Sequence, residues 1–353
     1  MIESKNRIEW IDSLRVAAIL AVITIHISSP IVKDMFDKNM TYWWIGNVLD
    51  SAVRFGVPLF LMISGALLLS RKYDLKDFYT KRIIRVLLPF LFYMIVYWIF
   101  RWSNLSPEAQ SRTFNETVQW AAALFLKEGI SPHFWFVYLI LFLYIFTPMV
   151  GAFVRKLKPE MIVFLLAAWV LIGSISQGFP VNMYTWAGAD VFKKLYIYLL
   201  YMGYMVLGYY FYNIFYVSKN IRLTAAVLYL ITVVVSALVV YFTSHTKGKL
   251  DLAFYSYLNL NTIIQTAAVF ISMKHTKIRN KHIQKVTFLI SDYSYGIYLI
   301  HVLVLGVLFN RGISWTMAHP LISLPVLLVL TLLVSMMIIF IIRKIPFGKW
   351  ISG

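Results

Sequence analysis

Residues 9–30 read EWIDSLRVAAILAVITIHISSP, an apolar run long enough for a helix to cross a bilayer. The run holds Arg15 and His26 and lacks the small-residue cleavage site of a secretory signal peptide. These two residues are 11 positions apart, close to three helical turns, so both should lie on nearly one face, about 16 Å apart along the axis. We therefore expect a transmembrane helix with polar groups at two depths.

The composition extends this interpretation to the whole chain of 353 residues, of which 60% are hydrophobic and 14% charged, with a mean hydropathy of +0.74. A soluble domain carries about 25% charged residues, so an ordinary soluble globule is excluded. A disordered chain is excluded as well, because such chains have low hydrophobicity. The absence of cysteine excludes a thiol nucleophile, a cysteine-based metal site and disulfides.

Similar apolar runs recur along the chain and predict an all-α polytopic membrane protein. We expect one membrane-embedded domain over residues 1–353, with about ten transmembrane helices. The predicted spans are 11–30, 45–70, 83–102, 133–154, 160–180, 195–217, 222–243, 253–273, 286–310 and 320–342. The apolar stretch 118–126 is too short to span and predicts an interfacial or re-entrant helix.

Lysine and arginine are distributed unevenly between alternate loops. The N-terminus and the segments 71–82, 155–160, 218–222, 274–285 and 343–353 contain 20 of them, whereas the loops of the opposite side contain 10. The positive-inside rule then places both termini in the cytoplasm. Topology accounts for most of the net charge of +18, so no nucleic-acid partner is expected.

Charges inside the spans are candidates for function, because a charge in the hydrocarbon region is costly. In the second span, Asp50 and Arg54 are four residues apart and predict either a structural ion pair or part of a site. Pro58 should kink this helix. Ser64–Gly65 should allow a close approach of another helix.

A basic cluster stands where the third span begins. Lys81, Arg82 and Arg85 lie at the expected cytoplasmic face, and Arg82 and Arg85 share one helical face. They are candidates for binding the phosphates of a donor molecule, because guanidinium groups bind phosphate bidentately. The alternative is that they orient the helix and contact lipid headgroups.

Two further segments supply candidate substrate-binding residues. His133 and Trp135 open the fourth span and predict either an outer acceptor cleft or an aromatic belt at the membrane interface. Tyr298 and His301 lie one turn apart in the ninth span. His301 is about 22 Å from the cytoplasmic end, which places it in the same half of the membrane as His26.

The sequence shows no metal motif, because no two histidines have the i,i+3 or i,i+4 spacing of a helical metal site and no HExxH occurs. Cations near one face and histidines about 15–20 Å deeper fit the shape of acetyl-CoA, whose phosphates are joined by a long arm to a thioester. Histidine is a suitable general base for a sugar hydroxyl. A transporter or flippase of a glycan or glycolipid, with charges along a path, is the alternative.

The chain resembles the integral-membrane acyltransferase 3 family along essentially its whole length. The resemblance rests on an ordered set of motifs: Asp12-x-Leu14-Arg15, Arg15-x10-His26, Arg54-x3-Pro58-Leu59-Phe60, Ser64-Gly65, Lys81-Arg82-x2-Arg85-x3-Pro89, His133-x-Trp135 and Tyr295-Gly296-Ile297-Tyr298-x2-His301. It resembles the short branch without an appended esterase-like domain, which includes the O-acetyltransferase of enterobacterial common antigen.

The resemblance implies a multi-pass protein of the bacterial cytoplasmic membrane that moves an acyl group, usually acetyl from acetyl-CoA, to a glycan or lipid-linked sugar. It also implies that His26 is catalytic and that Arg15 acts near the donor. We therefore expect the donor phosphates to bind Arg82, Arg85 and Lys81. His26 would deprotonate the acceptor hydroxyl while Arg54 steadies the site, and an acyl-histidine relay is the mechanistic alternative.

Overall fold

The computed structural model describes residues 7–105, 113–127, 130–178 and 189–353, so the end of the predicted span 160–180 and part of the loop that follows it lie outside the described residues. The described residues form helices and no β-strand, which confirms the all-α prediction for this part of the chain. The helices, in chain order, are α1 Glu9–Met35, α2 Met40–Ala52, α3 Gly56–Leu68, α4 Leu75–Ser103, α5 Phe114–Lys127, α6 Trp135–Val154, α7 Pro159–Gly178, α8 Ala189–Leu200, α9 Met202–Asn213, α10 Lys219–Lys247, α11 Leu260–Met273, α12 Lys281–Asn310, α13 Pro320–Ile342 and α14 Gly348–Ile351. Single 3₁₀ turns cover Pro132–Phe134, Ala253–Tyr255 and Trp315–Met317.

Eight helical stretches of the described chain are long and apolar enough to cross a membrane. They are formed by α1, by α2 with α3, by α4, by the turn before α6 with α6, by α7, by α10, by α12 with the following turn, and by α13. The predicted spans 195–217 and 253–273 are built differently, because they contain the shorter helices α8, α9 and α11. Helix α5 has 14 residues, which agrees with the prediction of a helix too short to span.

The interruption between α8 and α9 lies beside a contact with α7. Trp169 of α7 donates its indole N–H to the main-chain carbonyl of Leu200, the last residue of α8, at 2.6 Å. The predicted span 195–217 falls on two helices of 12 residues each rather than on one.

The expected kink at Pro58 is a complete break between α2 and α3. Helix α2 ends at Ala52, α3 begins at Gly56, and the turn between them contains Arg54. Pro58 has no N–H for the carbonyl of Arg54, and its ring would clash with that carbonyl in a continuous helix. The break therefore falls one turn before the proline and places Arg54 in a non-helical turn within a membrane-spanning stretch.

Helix α1 lies at the centre of the bundle. It packs against α2, α3, α12 and α13, and its side chains Leu14, Ile19 and Ile23 are fully buried. The outer helices instead expose apolar side chains such as Phe164 of α7 and Leu230 of α10. Apolar groups on both the inside and the outside are typical of a protein whose solvent is lipid, so the chain is a polytopic membrane protein.

Both ends of the described chain lie at the same end of the bundle, because Arg7 and Gly353 line one cavity. We call this the basic end, defined as the end where α1 begins and α13 ends. The prediction that both termini share one side of the membrane agrees with this arrangement. Which side of the membrane the basic end faces stays a prediction from the loop charges.

The predicted close approach at Ser64–Gly65 is confirmed by the packing of α3 against α9. A Cβ atom on Gly65 would lie 1.9 Å from the carbonyl oxygen of Met205, and one on Gly208 would lie 2.0 Å from that of Met62. Each glycine thus accommodates the main chain of the other helix, as small residues do at membrane helix interfaces.

We expect Gly65→Ala to destabilise the fold by about 1–3 kcal/mol, because the added methyl group overpacks a main-chain contact. Thermal unfolding of the purified protein in one detergent measures the effect as a lower Tm. Gly306→Ala is the matched control, since a Cβ there meets Phe100 at an ordinary distance of 3.7 Å. An unchanged Tm for Gly65→Ala would contradict the close approach.

Candidate active site

The break between α2 and α3 holds a buried ion pair. Arg54 donates to the carboxylate of Asp50, which is completely buried, and Ser28 of α1 donates to the same carboxylate at 3.1 Å. The guanidinium of Arg54 also lies 4.0 Å above the ring of Tyr255. Its Nε–H is buried without a hydrogen-bond partner, so one donor of this cation remains available.

Three histidines from α1, from α12 and from the turn before α6 converge near this pair. The ring of His26 on α1 is 5.0 Å from that of His301 on α12 and 6.1 Å from that of His133, measured between centroids. The rings of His133 and His301 are 5.1 Å apart. The prediction that His26 and His301 share one depth is confirmed. We call these three residues the histidine cluster.

His133 has both of its ring nitrogens occupied. Its Nδ1 lies 2.9 Å from the hydroxyl of Ser131 and its Nε2 lies 3.3 Å from the carbonyl oxygen of Leu299. A carbonyl oxygen only accepts, so Nε2 carries the proton and Nδ1 accepts from Ser131. Tyr298 donates its hydroxyl to the carbonyl of His133, which fixes this residue further.

His301 has one nitrogen occupied and one free. Its Nδ1 lies 2.7 Å from the carbonyl oxygen of Tyr298 and 3.2 Å from that of Ile297, so Nδ1 carries the proton. In the neutral ring Nε2 is then an acceptor, and it is buried without a partner. The residue is 0% exposed, so this lone pair is directed into the protein interior.

His26 is the least constrained member of the histidine cluster. It is partly buried, and its side chain has no hydrogen-bond partner among the described residues. The positive charge of Arg54 is close enough to act on it. Within the described chain no group of three or more potential ligands is arranged to hold a metal ion. The ring nitrogens of His26 and the Nε2 of His301 have no hydrogen-bond partner among the described residues.

A cavity of about 740 Å³ opens at the basic end. Seven basic residues line it, namely Arg7, Arg15, Arg71, Arg82, Arg85, Arg343 and Lys349, against two acidic ones, Asp12 and Asp292. Such an excess of cations in a concave, partly apolar site attracts a polyanion.

Arg15 is held at the wall of this cavity by a small network. Its guanidinium lies 3.3 Å from the buried carboxylate of Asp12, which also pairs with Arg7 at 2.7 Å and accepts from Ser291 at 2.5 Å. The side chain of Arg15 is about one-third exposed, so its outer edge faces the cavity. The pair of Asp12 and Arg15 therefore positions a cation on the same helix as His26.

The basic cluster at the start of α4 divides into two parts. Arg82 and Arg85 line the cavity, and neither has an ion pair or side-chain hydrogen bond among the described residues. Lys81 does not line the cavity, because its side chain is 70% exposed and pairs with Asp77 one turn earlier, at 2.6 Å. The structure thus brings Arg82 and Arg85 together with Arg15 and leaves Lys81 outside.

The inner end of the cavity stops short of His26. Tyr298, Phe136 and Phe60 line it there. The ring of Tyr298 is 5.4 Å from that of Phe136, 5.5 Å from that of His133 and 5.8 Å from that of His301. One layer of aromatic side chains therefore separates the cavity from the histidine cluster.

Trp135 is the first residue of α6, two positions after His133. Its half-buried ring stacks on Tyr257 with centroids 5.8 Å apart and lies 5.9 Å from the ring of Tyr201. Tyr257 also contacts the guanidinium of Arg54. Trp135 is thus joined through one tyrosine to the buried ion pair.

Several of these contacts were absent from the sequence interpretation. Tyr255 and Tyr257 approach Arg54 from the connection between α10 and α11, and Ser28 reaches Asp50 from α1. The aromatic run AFYSY at 253–257 is a signal that could have drawn attention to this connection. Arg343, which pairs with Asp292 and lines the cavity, was counted only as a loop charge.

A helical bundle that spans the membrane, with proton-transfer groups in its interior and a cation-lined cavity leading towards them, is the architecture of an integral-membrane enzyme. The model of the acyltransferase 3 family, described as an acyltransferase domain, matches residues 8–340, so the chain belongs to this family and is a membrane acyltransferase. No curated protein and no solved structure matched the chain in the corresponding comparisons.

Proposed function

We propose that the protein is an O-acetyltransferase that moves an acetyl group from acetyl-CoA to a hydroxyl of an extracytoplasmic or lipid-linked glycan. The observation that carries this proposal is the adjacency of a basic cavity and a histidine cluster, with one aromatic layer between them. The loop charges support a cytoplasmic position for the basic end, and acetyl-CoA is available in the cytoplasm of a bacterial cell.

The basic cavity supports acetyl-CoA as the donor. Its volume of about 740 Å³ lies in the range of pockets that enclose small molecules and cofactors. Arg82 and Arg85 have unpaired guanidinium groups, which bind phosphate oxygens in a bidentate manner. Arg15, fixed by Asp12, adds a third cation on the side of the cavity formed by α1.

The acyl arm of the donor has to pass the aromatic layer to reach His26. Tyr298 is fixed by its hydrogen bond to His133, whereas Phe60 and Phe136 are held only by packing, with ring centroids 6.2 Å apart. We therefore expect the two phenylalanine rings to move when the donor binds. Such a movement would also keep water from the thioester until the arm is in place.

His26 supplies the general base in this proposal. One ring nitrogen takes the proton of the acceptor hydroxyl while the hydroxyl oxygen attacks the thioester carbonyl and forms a tetrahedral intermediate. Collapse of the intermediate breaks the carbon–sulfur bond, and the CoA sulfur leaves with the proton from His26. The free Nε–H of Arg54 is the available donor for the oxyanion, because the other side of its guanidinium is paired with Asp50.

His301 acts in this scheme as a positioning residue. Its buried Nε2 can only accept a hydrogen bond, and the ring of His26 is its nearest titratable neighbour at 5.0 Å. A bond from one nitrogen of His26 to this acceptor would leave the other nitrogen of His26 unprotonated and ready to act as a base. Trp135 and Tyr257 offer a stacked aromatic surface for the sugar, and Tyr257 also contacts Arg54.

Labelled acetyl-CoA incubated with membranes that contain the protein tests the proposal. We expect label to be transferred to a glycan or lipid-linked sugar, with one CoA released for each acetyl group transferred. Membranes without the protein are the control. A transporter or flippase would move its substrate without releasing CoA, and that outcome would contradict the proposal.

We expect the double variant Arg82→Gln/Arg85→Gln to raise the KM for acetyl-CoA by about tenfold or more, because two charge-assisted contacts to phosphate are lost. The kcat should change much less, since neither residue is near His26. Steady-state kinetics of CoA release measure both constants. Lys81→Gln, on the same turn of α4 but outside the cavity, is the matched control, and an equal effect there would contradict the assignment.

A further inference from the structure

A second groove, of about 880 Å³, lies at the basic end between the start of α4 and the end of α6. No member of the histidine cluster lines it, and neither does Tyr298. Arg71 lines both this groove and the donor cavity, so the two spaces share one wall. The acyl-transfer proposal gives no role to the groove.

The groove is basic and contains no acidic side chain. Its cations are Arg71, Lys72, Arg155 and Lys156. Arg155 donates to the carbonyl oxygens of Leu69 at 2.7 Å and Arg71 at 2.8 Å, so its guanidinium is fixed in place. Lys72 and Lys156 are exposed and make no ion pair within the described chain.

Tyr73 distinguishes this groove from an ordinary basic surface at the membrane face. Tyr73 lines the groove, and its hydroxyl is buried and has no hydrogen-bond partner. Burial raises the pKa of this hydroxyl, so it remains a donor at physiological pH. A buried donor without a partner is costly, and an acceptor in the groove would remove that cost.

The rim of the groove is apolar and faces outward. Leu75 and Met149 line it and are 57% and 65% exposed. Both lie on helices that span the membrane, at the end where those helices meet the interface. A ligand with negative charge at one end and hydrocarbon at the other would satisfy both parts of this surface.

We propose that the groove binds an anionic phospholipid, with its phosphodiester on Lys72, Lys156 and the Tyr73 hydroxyl, and with its acyl chains over Leu75 and Met149. A soluble phosphate compound would use the same cations and the same hydroxyl but would leave the apolar rim uncovered. The lipid is therefore the occupant that the whole surface favours.

Native mass spectrometry of the full-length protein released from detergent tests this inference without any need for enzymatic activity. The probes are phosphatidylglycerol and phosphatidylcholine with identical acyl chains. We expect one phosphatidylglycerol to remain bound under conditions that remove phosphatidylcholine. In Lys72→Gln/Lys156→Gln the affinity for phosphatidylglycerol should fall about tenfold. In Tyr73→Phe it should fall roughly threefold to fivefold, because one hydrogen bond to a charged group is lost.

The matched control is Lys76→Gln/Lys158→Gln, which removes two exposed lysines at the same end that do not line the groove. This variant should bind phosphatidylglycerol as the unaltered protein does. Equal binding of both lipids, or equal losses in the two double variants, would overturn the inference. Displacement of the lipid by millimolar glycerol 3-phosphate would overturn it as well, in favour of a soluble phosphate ligand.

Discussion

His26→Ala should lower the kcat of acetyl transfer by about a thousandfold, because a positioned general base contributes about 10²–10⁴ to the rate. The KM for acetyl-CoA should change little, since the cations that line the donor cavity lie on the other side of the aromatic layer. The measurement is CoA release by the purified protein in the presence of its glycan acceptor. The small effect on KM distinguishes loss of the base from loss of the donor site.

Two comparisons make this result specific. His282→Ala changes an exposed histidine at the start of α12 and should leave both constants unchanged. Thermal unfolding should show that both variants are folded, so that a loss of activity in His26→Ala does not arise from a loss of structure. Full activity in a folded His26→Ala variant would overturn the proposed mechanism.

The same variant separates direct transfer from an acyl-histidine relay. Without acceptor, the unaltered protein incubated with labelled acetyl-CoA should stay unlabelled if the acetyl group passes directly to the sugar. Label retained by the unaltered protein and absent from His26→Ala would instead indicate an acetyl group carried on His26.

Sequence periodicity predicted the parts of the site that depend on one helix. The spacing of Arg15 and His26 on α1 gave two depths, and the structure places Arg15 at the cavity and His26 with His301. Counting the helical rise along α12 predicted that His301 lies in the same half of the membrane as His26, and the 5.0 Å distance between the two rings agrees with this prediction. These predictions held because a transmembrane helix has a fixed rise and a fixed direction.

The remaining features depend on contacts between distant parts of the chain. Tyr255 reaches Arg54 across about 200 residues, and no local pattern states which helices are neighbours. The position of the break before Pro58 depends on the carbonyl of Arg54, four residues earlier, so the proline alone predicted a kink rather than the bounds of two helices. Lys81 precedes Arg82 on the same helical turn, but adjacent helical residues point in different directions. The side chain of Lys81 therefore lies towards Asp77 and away from the cavity.

The second large effect is expected at His301, whose buried Nε2 has no partner in the described chain. With Nδ1 bound to main-chain carbonyls, His301 offers His26 an acceptor and no donor. A fixed acceptor selects one tautomer of His26, and only one tautomer presents a lone pair to the substrate. Loss of the acceptor leaves His26 free to rotate and to change tautomer, so the fraction of enzyme in the reactive state falls.

His301→Leu should therefore lower kcat by about a hundredfold, which is within the range of losses expected when a general base is misoriented. The KM for acetyl-CoA should change little. His301→Gln should recover part of the rate, because its amide oxygen can accept from His26. In ¹⁵N spectra of histidine-labelled protein, with His26 assigned by its loss in His26→Ala, the unaltered protein should show one tautomer and His301→Leu a mixture. If His301 had only a structural role, both variants would have a lower Tm, but the kcat of the folded protein and the ¹⁵N signal of His26 would stay unchanged. That result would contradict the positioning role.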